Sequence, residues 1–143
     1  MNTSFQSKAS WTLLVLILMQ FVPLNRINPR VTAQHEFNGS LNGSAQQLLK
    51  KACYECHSNE TQWPRLAYIA PASWVISSTV SSGRTALNFS TWQNYNTQEK
   101  KLLRKKIERV VLEGTAHQPL FYVWNTTAQL TSRETQSVLQ WPE

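Results

Sequence analysis

The sequence has few of the residues on which disulfide-rich or strand-rich proteins depend. It contains two cysteines and two methionines among 143 residues. Runs suited to strands are scarce, and residues 120–124 (Leu-Phe-Tyr-Val-Trp) are the best of them. Neither an internal repeat nor a low-complexity tract is present, so a repeat architecture is excluded. The absences favour one small, mostly helical domain together with an N-terminal segment, as the length also does.

Both cysteines fall in one motif, residues 53–57 (Cys-Tyr-Glu-Cys-His). Two thiols at this spacing can add to the two vinyl groups of a haem, and the adjacent imidazole then meets the iron from the proximal side. The motif therefore predicts one covalent haem c, held through Cys53 and Cys56, with His57 as the proximal axial ligand. Tyr54 and Glu55 are interpreted as spacers.

The N-terminus predicts an export signal or a membrane anchor. Lys8 precedes an apolar run over residues 11–24. A transmembrane helix needs roughly 20 apolar residues and the core of a signal peptide about 7–15, and this run lies between the two. A cleavage site at residues 31–33 would be farther from the run than is usual, so an uncleaved anchor over residues 1–33 is favoured. Either way we expect an exported domain on the periplasmic side of a membrane or in a thylakoid lumen.

The rest of the chain predicts four helices. Residues 34–44 are rich in Gly, Asn and Ser and read as a linker. Ser44 is a plausible N-cap for a first helix that runs into the cysteine motif. A second helix is expected to begin at Pro71 and to end near Gly83.

The third and fourth helices carry clearer end signals. Thr97 is expected to cap the third helix and Gly114 to close it, and a capping box of Thr131 and Glu134 predicts the start of the fourth. The third helix has one apolar stripe: Leu102, Leu103, Ile107, Val110 and Val111. The expected fold is an all-α, cytochrome c-like domain over residues 45–143, wrapped around one haem and preceded by an N-terminal hydrophobic helix.

The second axial ligand follows from what the chain can offer. Met1 and Met19 both lie in the N-terminal segment, so a methionine ligand from the folded domain is excluded. His117, between the third helix and an aromatic segment, is the leading distal ligand. A five-coordinate iron is the main alternative, and His35 in the linker is poorly placed.

The positive charge of the exported domain is concentrated in one segment. From residue 34 onward eleven Lys and Arg face eight Glu, and residues 97–113 alone carry six against three. Such a patch can steer an acidic redox partner or lie near anionic headgroups, although a solvated helix face is the simpler interpretation. Nucleic acid is a poor candidate for an exported domain.

Residues 53–64 (Cys-Tyr-Glu-Cys-His-Ser-Asn-Glu-Thr-Gln-Trp-Pro) resemble the signature of the small haem-binding-domain proteins, which are anchored, cytochrome c-like proteins of bacteria. The resemblance continues through residues 69–74, 83–84 and 87–92. It implies one covalent c-type haem with His57 as its proximal ligand. Beside it, we interpret Trp63, Pro64 and Trp74 as pocket residues.

The chain departs from that family in the segment where the family's distal methionine lies, which would affect the midpoint potential of the haem. The family usually carries Met-Pro-Pro after a Glu-Gly pair, and this chain has Ala116, His117, Gln118 and Pro119 there. Imidazole stabilises ferric iron better than a thioether sulfur does, so a lower midpoint potential than that of a His/Met relative is predicted.

Three functions remain open. The leading one is a monohaem c-type cytochrome that transfers electrons on the outer side of a membrane and is an electron carrier rather than an enzyme. The first alternative is a five-coordinate haem sensor or haem enzyme with an open distal site. The second is a haem-free thiol–disulfide protein using Cys53 and Cys56, which the lack of a βαβ pattern disfavours.

Overall fold

A computed structural model describes residues 3–37, 43–114, 121–122 and 125–140. In these ranges the backbone forms helices and no strand, so the all-α prediction is confirmed. The α-helices are α1 (Thr3–Met19), α2 (Gly43–Ala52), α3 (Tyr54–His57), α4 (Ala72–Ala86), α5 (Thr97–Glu113) and α6 (Ser132–Leu139). Shorter 3₁₀ helices cover Arg65–Tyr68, Phe89–Asn94 and Thr126–Ala128.

The best strand candidate of the sequence is not a strand where the structure describes it. Phe121 and Tyr122 have helical backbone. The other three residues of that segment lie outside the described residues. Aromatic and β-branched side chains favour strands only weakly, and packing of the surrounding chain overrides that preference.

The chain divides into two compact units. Unit 1 consists of Met1–Ile27 and Trp63–Thr79, and unit 2 consists of Asn28–Gln62 and Val80–Glu143. Each unit is therefore built from two segments that are far apart in sequence. Helix α4 begins in unit 1 and ends in unit 2.

Helix α1 is shorter in its apolar part than the sequence prediction requires. It has 17 residues, which corresponds to about 25 Å, and its first two turns are mostly polar. Within the described part of the chain, no helix is long and apolar enough to cross a membrane, so the expected transmembrane helix is not found. The apolar run inside α1 covers only residues 11–19 because α1 ends at Met19.

In unit 1, the residues that follow α1 are bound to the second segment of the unit. The side-chain amide of Gln20 accepts a hydrogen bond from the backbone N–H of Ala70 (3.0 Å) and donates to the Ala70 carbonyl (3.4 Å). Arg26 donates to the carbonyl oxygen of Ala67 (2.9 Å), and its guanidinium lies 4.8 Å from the ring centroid of Tyr68. These contacts fix residues 20–26 against the 3₁₀ helix Arg65–Tyr68 and the start of α4.

Unit 2 has an aromatic core. Phe37 makes edge-to-face contacts with Phe89 and Trp92, at 5.6 Å and 5.1 Å between ring centroids, and Tyr54 stacks on Phe89 at 5.0 Å. Such pairs add about 0.5–1.5 kcal/mol each beyond the area that they bury. Leu49, Leu87 and Val138 complete the buried cluster. Phe37, at the end of the described part of the predicted linker, is thus a core residue.

The helix ends agree with the sequence in part. Helix α2 runs into the motif as expected, Gly114 ends α5 in the left-handed conformation (φ 64°), and the capping box of Thr131 and Glu134 starts α6. Four end predictions are wrong. Helix α2 begins at Gly43, so the predicted N-cap Ser44 lies inside it, and α4 begins at Ala72 rather than at Pro71. Asn96, not Thr97, is the N-cap of α5 and forms a capping box with Glu99. Helix α4 passes through Gly83 and ends at Ala86.

Candidate functional site

The cysteine motif lies at the junction of α2 and α3, in unit 2. The backbone N–H of Cys53 still donates to Leu49 in the last turn of α2 (2.8 Å). Its carbonyl then accepts from the N–H of Cys56 (3.3 Å) and of His57 (3.0 Å), which starts α3. Cys53 is therefore the residue that connects the two helices, and the single helical turn after it positions both Cys56 and His57.

Tyr54 and Glu55, predicted to be spacers, hold the motif in the fold. Tyr54 is buried and stacks on Phe89 in the core. The carboxylate of Glu55 accepts the backbone N–H of Gln62 (2.9 Å), and its carbonyl accepts the hydroxyl of Thr61 (2.7 Å). Both positions therefore anchor the motif in the fold.

His57 is oriented by backbone carbonyls at the end of α4. Its Nδ1 lies 2.9 Å from the carbonyl oxygen of Gly83 and 3.1 Å from that of Leu87. Because carbonyl oxygens only accept hydrogen bonds, Nδ1 carries the proton and donates to them. Nε2 is then the unprotonated nitrogen, with its lone pair available for a metal ion. Metal-binding histidines usually donate their other N–H to a carbonyl or a carboxylate in this way.

The protonation state of His57 is consistent with that role. Burial lowers the pKa of His57, and the hydrogen bonds to Leu87 and Gly83 oppose the shift only in part. The imidazole is therefore neutral at neutral pH, and neutral imidazole is the form that binds a metal ion.

Gly83 allows α4 to approach the motif. A Cβ atom placed on Gly83 would collide with the carbonyl oxygen of Cys56 and would lie 3.0 Å from the Cys56 Cβ. Only glycine leaves room for the helix at this distance. The close approach brings the carbonyls of Gly83 and Leu87 within reach of His57, so the glycine is a packing residue and not the predicted helix end.

A polar network holds the chain that follows the motif. Arg84 donates from Nε to the carbonyl of Ser58 (2.7 Å), and its terminal nitrogen donates to Asn28 Oδ1 (2.7 Å) and to Thr61 Oγ1 (2.9 Å). The hydroxyl of Ser90 accepts the backbone N–H of Asn59 (3.0 Å). Residues 58–61 are thereby tied to α4 and to the 3₁₀ helix Phe89–Asn94.

An apolar cavity of about 220 Å³ opens beside the motif. Its lining is Cys53, His57, Ala86, Leu87, Leu103, Lys106, Ile107, Val110 and Val111. A second cavity, of about 360 Å³, shares Cys53 and Val111 and continues towards Leu130 and Tyr122. Cys53 therefore borders both cavities, whereas Cys56 is buried and borders neither.

One wall of the first cavity is the apolar stripe of α5. Four of the five predicted stripe residues line it, and the fifth, Leu102, is 61% exposed. Although the stripe is apolar, α5 contains no buried residue. Apolar helix faces are normally stabilised by burial. Leu103, Ile107 and Val111 are partly buried against the core of unit 2, and the part of the face that lines the cavity is available to an apolar group.

Among the described residues that line the cavity, Lys106 is the one cation. Its side chain is exposed, and within the described residues it takes part in no ion pair. Neighbouring Lys105 is equally exposed but lines neither cavity.

The thiols of the motif are not activated as nucleophiles. Burial raises the pKa of Cys53 to about 12, with a smaller contribution from Cys56. Burial, with a smaller contribution from Glu55, raises the pKa of Cys56 to about 11, and Arg84 opposes the shift. Thiol–disulfide enzymes need a thiol with a lowered pKa, so these values disfavour that alternative.

The other predicted site residues are not brought to this cavity by the described structure. Trp63, Pro64 and Trp74 belong to unit 1, are half-buried there, and are not among the residues that line either cavity. His117 lies outside the described residues. His35 packs beside Asn94, away from the lining of both cavities. The roles predicted for the tryptophans, Pro64 and His117 stay predictions.

A sequence model of the haem-binding domain family matches residues 14–143. The chain belongs to the haem-binding domain family. No curated protein and no solved structure is significantly similar to it. The match covers both units apart from the first residues, including the motif and the α5 wall. Membership of the family supports haem as the cofactor of this chain.

The residue types around the first cavity suit a haem. A whole macrocycle is larger than about 220 Å³ and would also need the second cavity, which shares Cys53 and Val111 with the first. The residues that line the first cavity provide an imidazole nitrogen in the correct protonation state, a thiol at the wall, four aliphatic side chains on one helix face and one cation. The sequence indicated the motif and the stripe, but it did not indicate Leu87 or Lys106.

Proposed function

We propose that this protein is a monohaem c-type cytochrome-like protein that transfers electrons. Cys53 and Cys56 would hold the haem through two thioether bonds, and His57 would bind the iron through Nε2. When bound, the haem iron supplies one-electron redox chemistry. The observation that carries the proposal is the pair of hydrogen bonds from His57 Nδ1 to the carbonyls of Gly83 and Leu87.

The chain's own residues would set the properties of the cofactor. The two carbonyls orient the imidazole and increase its basicity, which favours ferric iron. Leu103, Ile107, Val110 and Val111 would exclude water from the face of the ring. Lys106 would pair with a propionate at the open side. His117 is kept as the proposed distal ligand, and a five-coordinate iron as its alternative.

The proposed setting is the outer side of a membrane. Covalent attachment of haem to such a motif takes place after export, and the N-terminal segment would supply the export signal or the anchor. Helix α5 carries exposed cations, Lys101, Lys105, Lys106 and Arg109 among them, and would face an acidic redox partner.

The experiment is expression of the full chain together with a haem-attachment system, followed by a pyridine haemochrome spectrum and denaturing electrophoresis with haem staining. We expect haem that stays on the denatured chain, with the spectrum of two thioethers. Cys53→Ala should remove one thioether, and the Cys53→Ala/Cys56→Ala pair should release the haem on denaturation. Haem lost from the unsubstituted protein would contradict covalent attachment.

The thioether at Cys56 is the part of the proposal that this test can most readily contradict. Because Cys56 is packed against Gly83 and borders neither cavity, the second thioether depends on a change at this position when haem is attached. A spectrum of one thioether that Cys56→Ala leaves unchanged would show that Cys53 alone is used. Ser82→Ala changes an exposed residue next to Gly83 on α4. It is the matched control and should leave the haem attachment unchanged.

Carbon monoxide binding separates the proposal from its alternative. A ferrous protein with His57 and His117 as ligands should bind carbon monoxide slowly, because His117 must first leave the iron. A five-coordinate iron should bind it rapidly in the unsubstituted protein. The variant His117→Ala should convert slow binding into rapid binding, and equal rates in the two proteins would exclude His117 as a ligand.

A further inference from the structure

Unit 1 exposes large apolar side chains on both of its segments. Phe21 and Ile27 follow α1 and are 78% and 70% exposed. On the other segment Tyr68 is 59% and Ile69 54% exposed, and Leu66 and Val75 are each nearly half exposed. We call these six residues the interfacial surface. Soluble proteins rarely expose so many large apolar side chains in one small region without a binding partner.

The contacts within unit 1 keep the two parts of this surface together. Gln20, adjacent to Phe21, is hydrogen-bonded twice to Ala70, adjacent to Ile69. Arg26, adjacent to Ile27, bonds to Ala67 and lies over the ring of Tyr68. The apolar side chains of residues 21 and 27 are therefore held close to those of residues 68 and 69, at the point where the chain leaves α1.

Helix α1 continues the apolar character in the other direction. Its residues 11–18 include seven large apolar side chains, each at least 42% exposed. They are consecutive apart from Thr12, so they cover all sides of the helix rather than one stripe. A helix that is apolar on all sides needs apolar surroundings on all sides, which a groove on a partner protein does not provide and a bilayer does.

The charges of unit 1 are all of one sign. Lys8, Arg26 and Arg65 are its charged residues, and all eight glutamates of the chain belong to unit 2. Two copies of unit 1 would place cations against cations with no carboxylate to pair them. A surface of anionic lipid headgroups complements both the apolar side chains and the cations.

We propose that the interfacial surface binds the headgroup region of an anionic membrane, next to the site where α1 enters it. The proposal rests on the proposed location of the protein at a membrane and adds a second contact to the N-terminal segment. Tyr68 beside Arg26 is the aromatic–cation pair typical of membrane interfaces. Unit 1 is then a membrane-docking module and not only a linker to an anchor.

The test uses the full-length holoprotein with a spin label at Ile69→Cys and, as the matched control, at Thr127→Cys. Thr127 is exposed and polar and belongs to unit 2. The protein is reconstituted by detergent removal into vesicles of phosphatidylcholine with phosphatidylglycerol. We expect the label at residue 69 to become more accessible to oxygen and less accessible to a nickel chelate, while the label at residue 127 keeps its accessibility to the chelate.

Two results would overturn the proposal. If the label at residue 69 stays as accessible to the chelate as the label at residue 127 while the protein floats with the vesicles, α1 alone binds the membrane. The other result is obtained without vesicles. If the label at residue 69 is then shielded from the chelate, and its spectrum is broadened by the label of another molecule, a second copy of the chain covers the surface. Uptake of label by the unsubstituted protein reports free Cys53 or Cys56, so failure of the haem proposal is detected separately.

The charge component has its own test. Arg65→Gln should weaken flotation with vesicles that contain phosphatidylglycerol about fivefold, and it should leave binding to pure phosphatidylcholine vesicles unchanged. Arg133→Gln, an exposed residue of unit 2, removes the same charge elsewhere and should have little effect. Equal effects of the two variants on anionic vesicles would contradict a specific contact of unit 1 with anionic lipid.

Discussion

The two units handle apolar side chains in opposite ways. Unit 2 gathers Phe37, Phe89 and Trp92 into an aromatic core and leaves one apolar helix face, that of α5, open to a cavity. Unit 1 leaves apolar side chains on its outside, along α1 and over the 3₁₀ helix Arg65–Tyr68. An unburied apolar face thus supports two different proposals in this chain: a cofactor site where it lines a cavity, and a membrane-binding surface where it covers the outside of unit 1.

Charge divides in the same way. The net charge of +6 suggests a uniformly basic protein, yet the acidic residues are all in unit 2. In unit 2 acids and bases pair, as Lys51 does with Glu134 and Arg104 with Glu108. In unit 1 the cations have no carboxylate from their own unit to pair with. A total charge therefore says little about partners until it is assigned to a folded unit.

The largest expected effect comes from Gly83→Ala, which breaks unit 2 at its closest contact. The new Cβ would collide with the backbone of Cys56, so α4 must move away and His57 loses its two acceptors. We expect a loss of about 3 kcal/mol in the free energy of unfolding, measured by chemical denaturation. Ser82→Ala should be neutral, and equal stabilities of the two variants would contradict the contact.

Arg84→Gln should have the next largest effect. It removes a guanidinium that donates to Ser58, Thr61 and Asn28, and hydrogen bonds of charged groups contribute about 1.5–3 kcal/mol each. Partial exposure reduces this, and we expect a loss of about 2 kcal/mol in unfolding free energy together with faster proteolysis in residues 58–62. Unchanged proteolysis in these residues would show that Arg84 does not hold them.

Lys106→Gln tests the electrostatics of the cavity. Removing the cation that lines the cavity should favour ferric iron and lower the midpoint potential by about 10–40 mV, the range that corresponds to an exposed ion pair. A redox titration measures the shift. Lys105→Gln removes the same charge from the neighbouring position, and a shift of the same size there would show only a general charge effect.

The smallest effect concerns pH. The hydrogen bond from Lys51, followed by those at Thr131, lowers the pKa of Glu134 from its ordinary 4.5 to about 2. Because the folded pKa is the lower one, the contribution to stability is present above about pH 4.5 and is lost as the pH falls towards 2. Urea denaturation of the protein and of Glu134→Gln should differ near pH 6 and converge near pH 2. A constant difference would exclude this ion pair as the cause.

The local features of the fold were predictable from the sequence. The turn of the motif, the left-handed Gly114 and the capping box of Thr131 depend on residues within a few positions of each other. The cap of α5 was predicted one residue late, because Asn96 and Thr97 are both good caps and only the contact with Glu99 distinguishes them. The α5 stripe was recognised, but periodicity does not tell a buried face from a cavity wall.

The features that depend on distant contacts were not predictable. Gly83 reads as a helix end because glycine is common there, and only the approach of Cys56 shows that it is a packing residue. No sequence pattern indicates that residues 20–26 contact residues 65–77, so the pairing of the two segments of unit 1 could not be predicted. The carbonyls that hold His57 belong to the backbone. Every residue has such a carbonyl, so the residue types do not show which ones accept a hydrogen bond from His57.

That last feature has a consequence for how this haem site can vary. Because both acceptors of the His57 Nδ1 proton are main-chain oxygens at the end of α4, a side-chain substitution removes them only if it moves that helix, as Gly83→Ala is expected to do. The strength of the proposed iron–imidazole bond would then depend on the position of this helix end. Exchange of the side chains around the imidazole would change its burial, but it would leave both acceptors in place as long as α4 keeps its position.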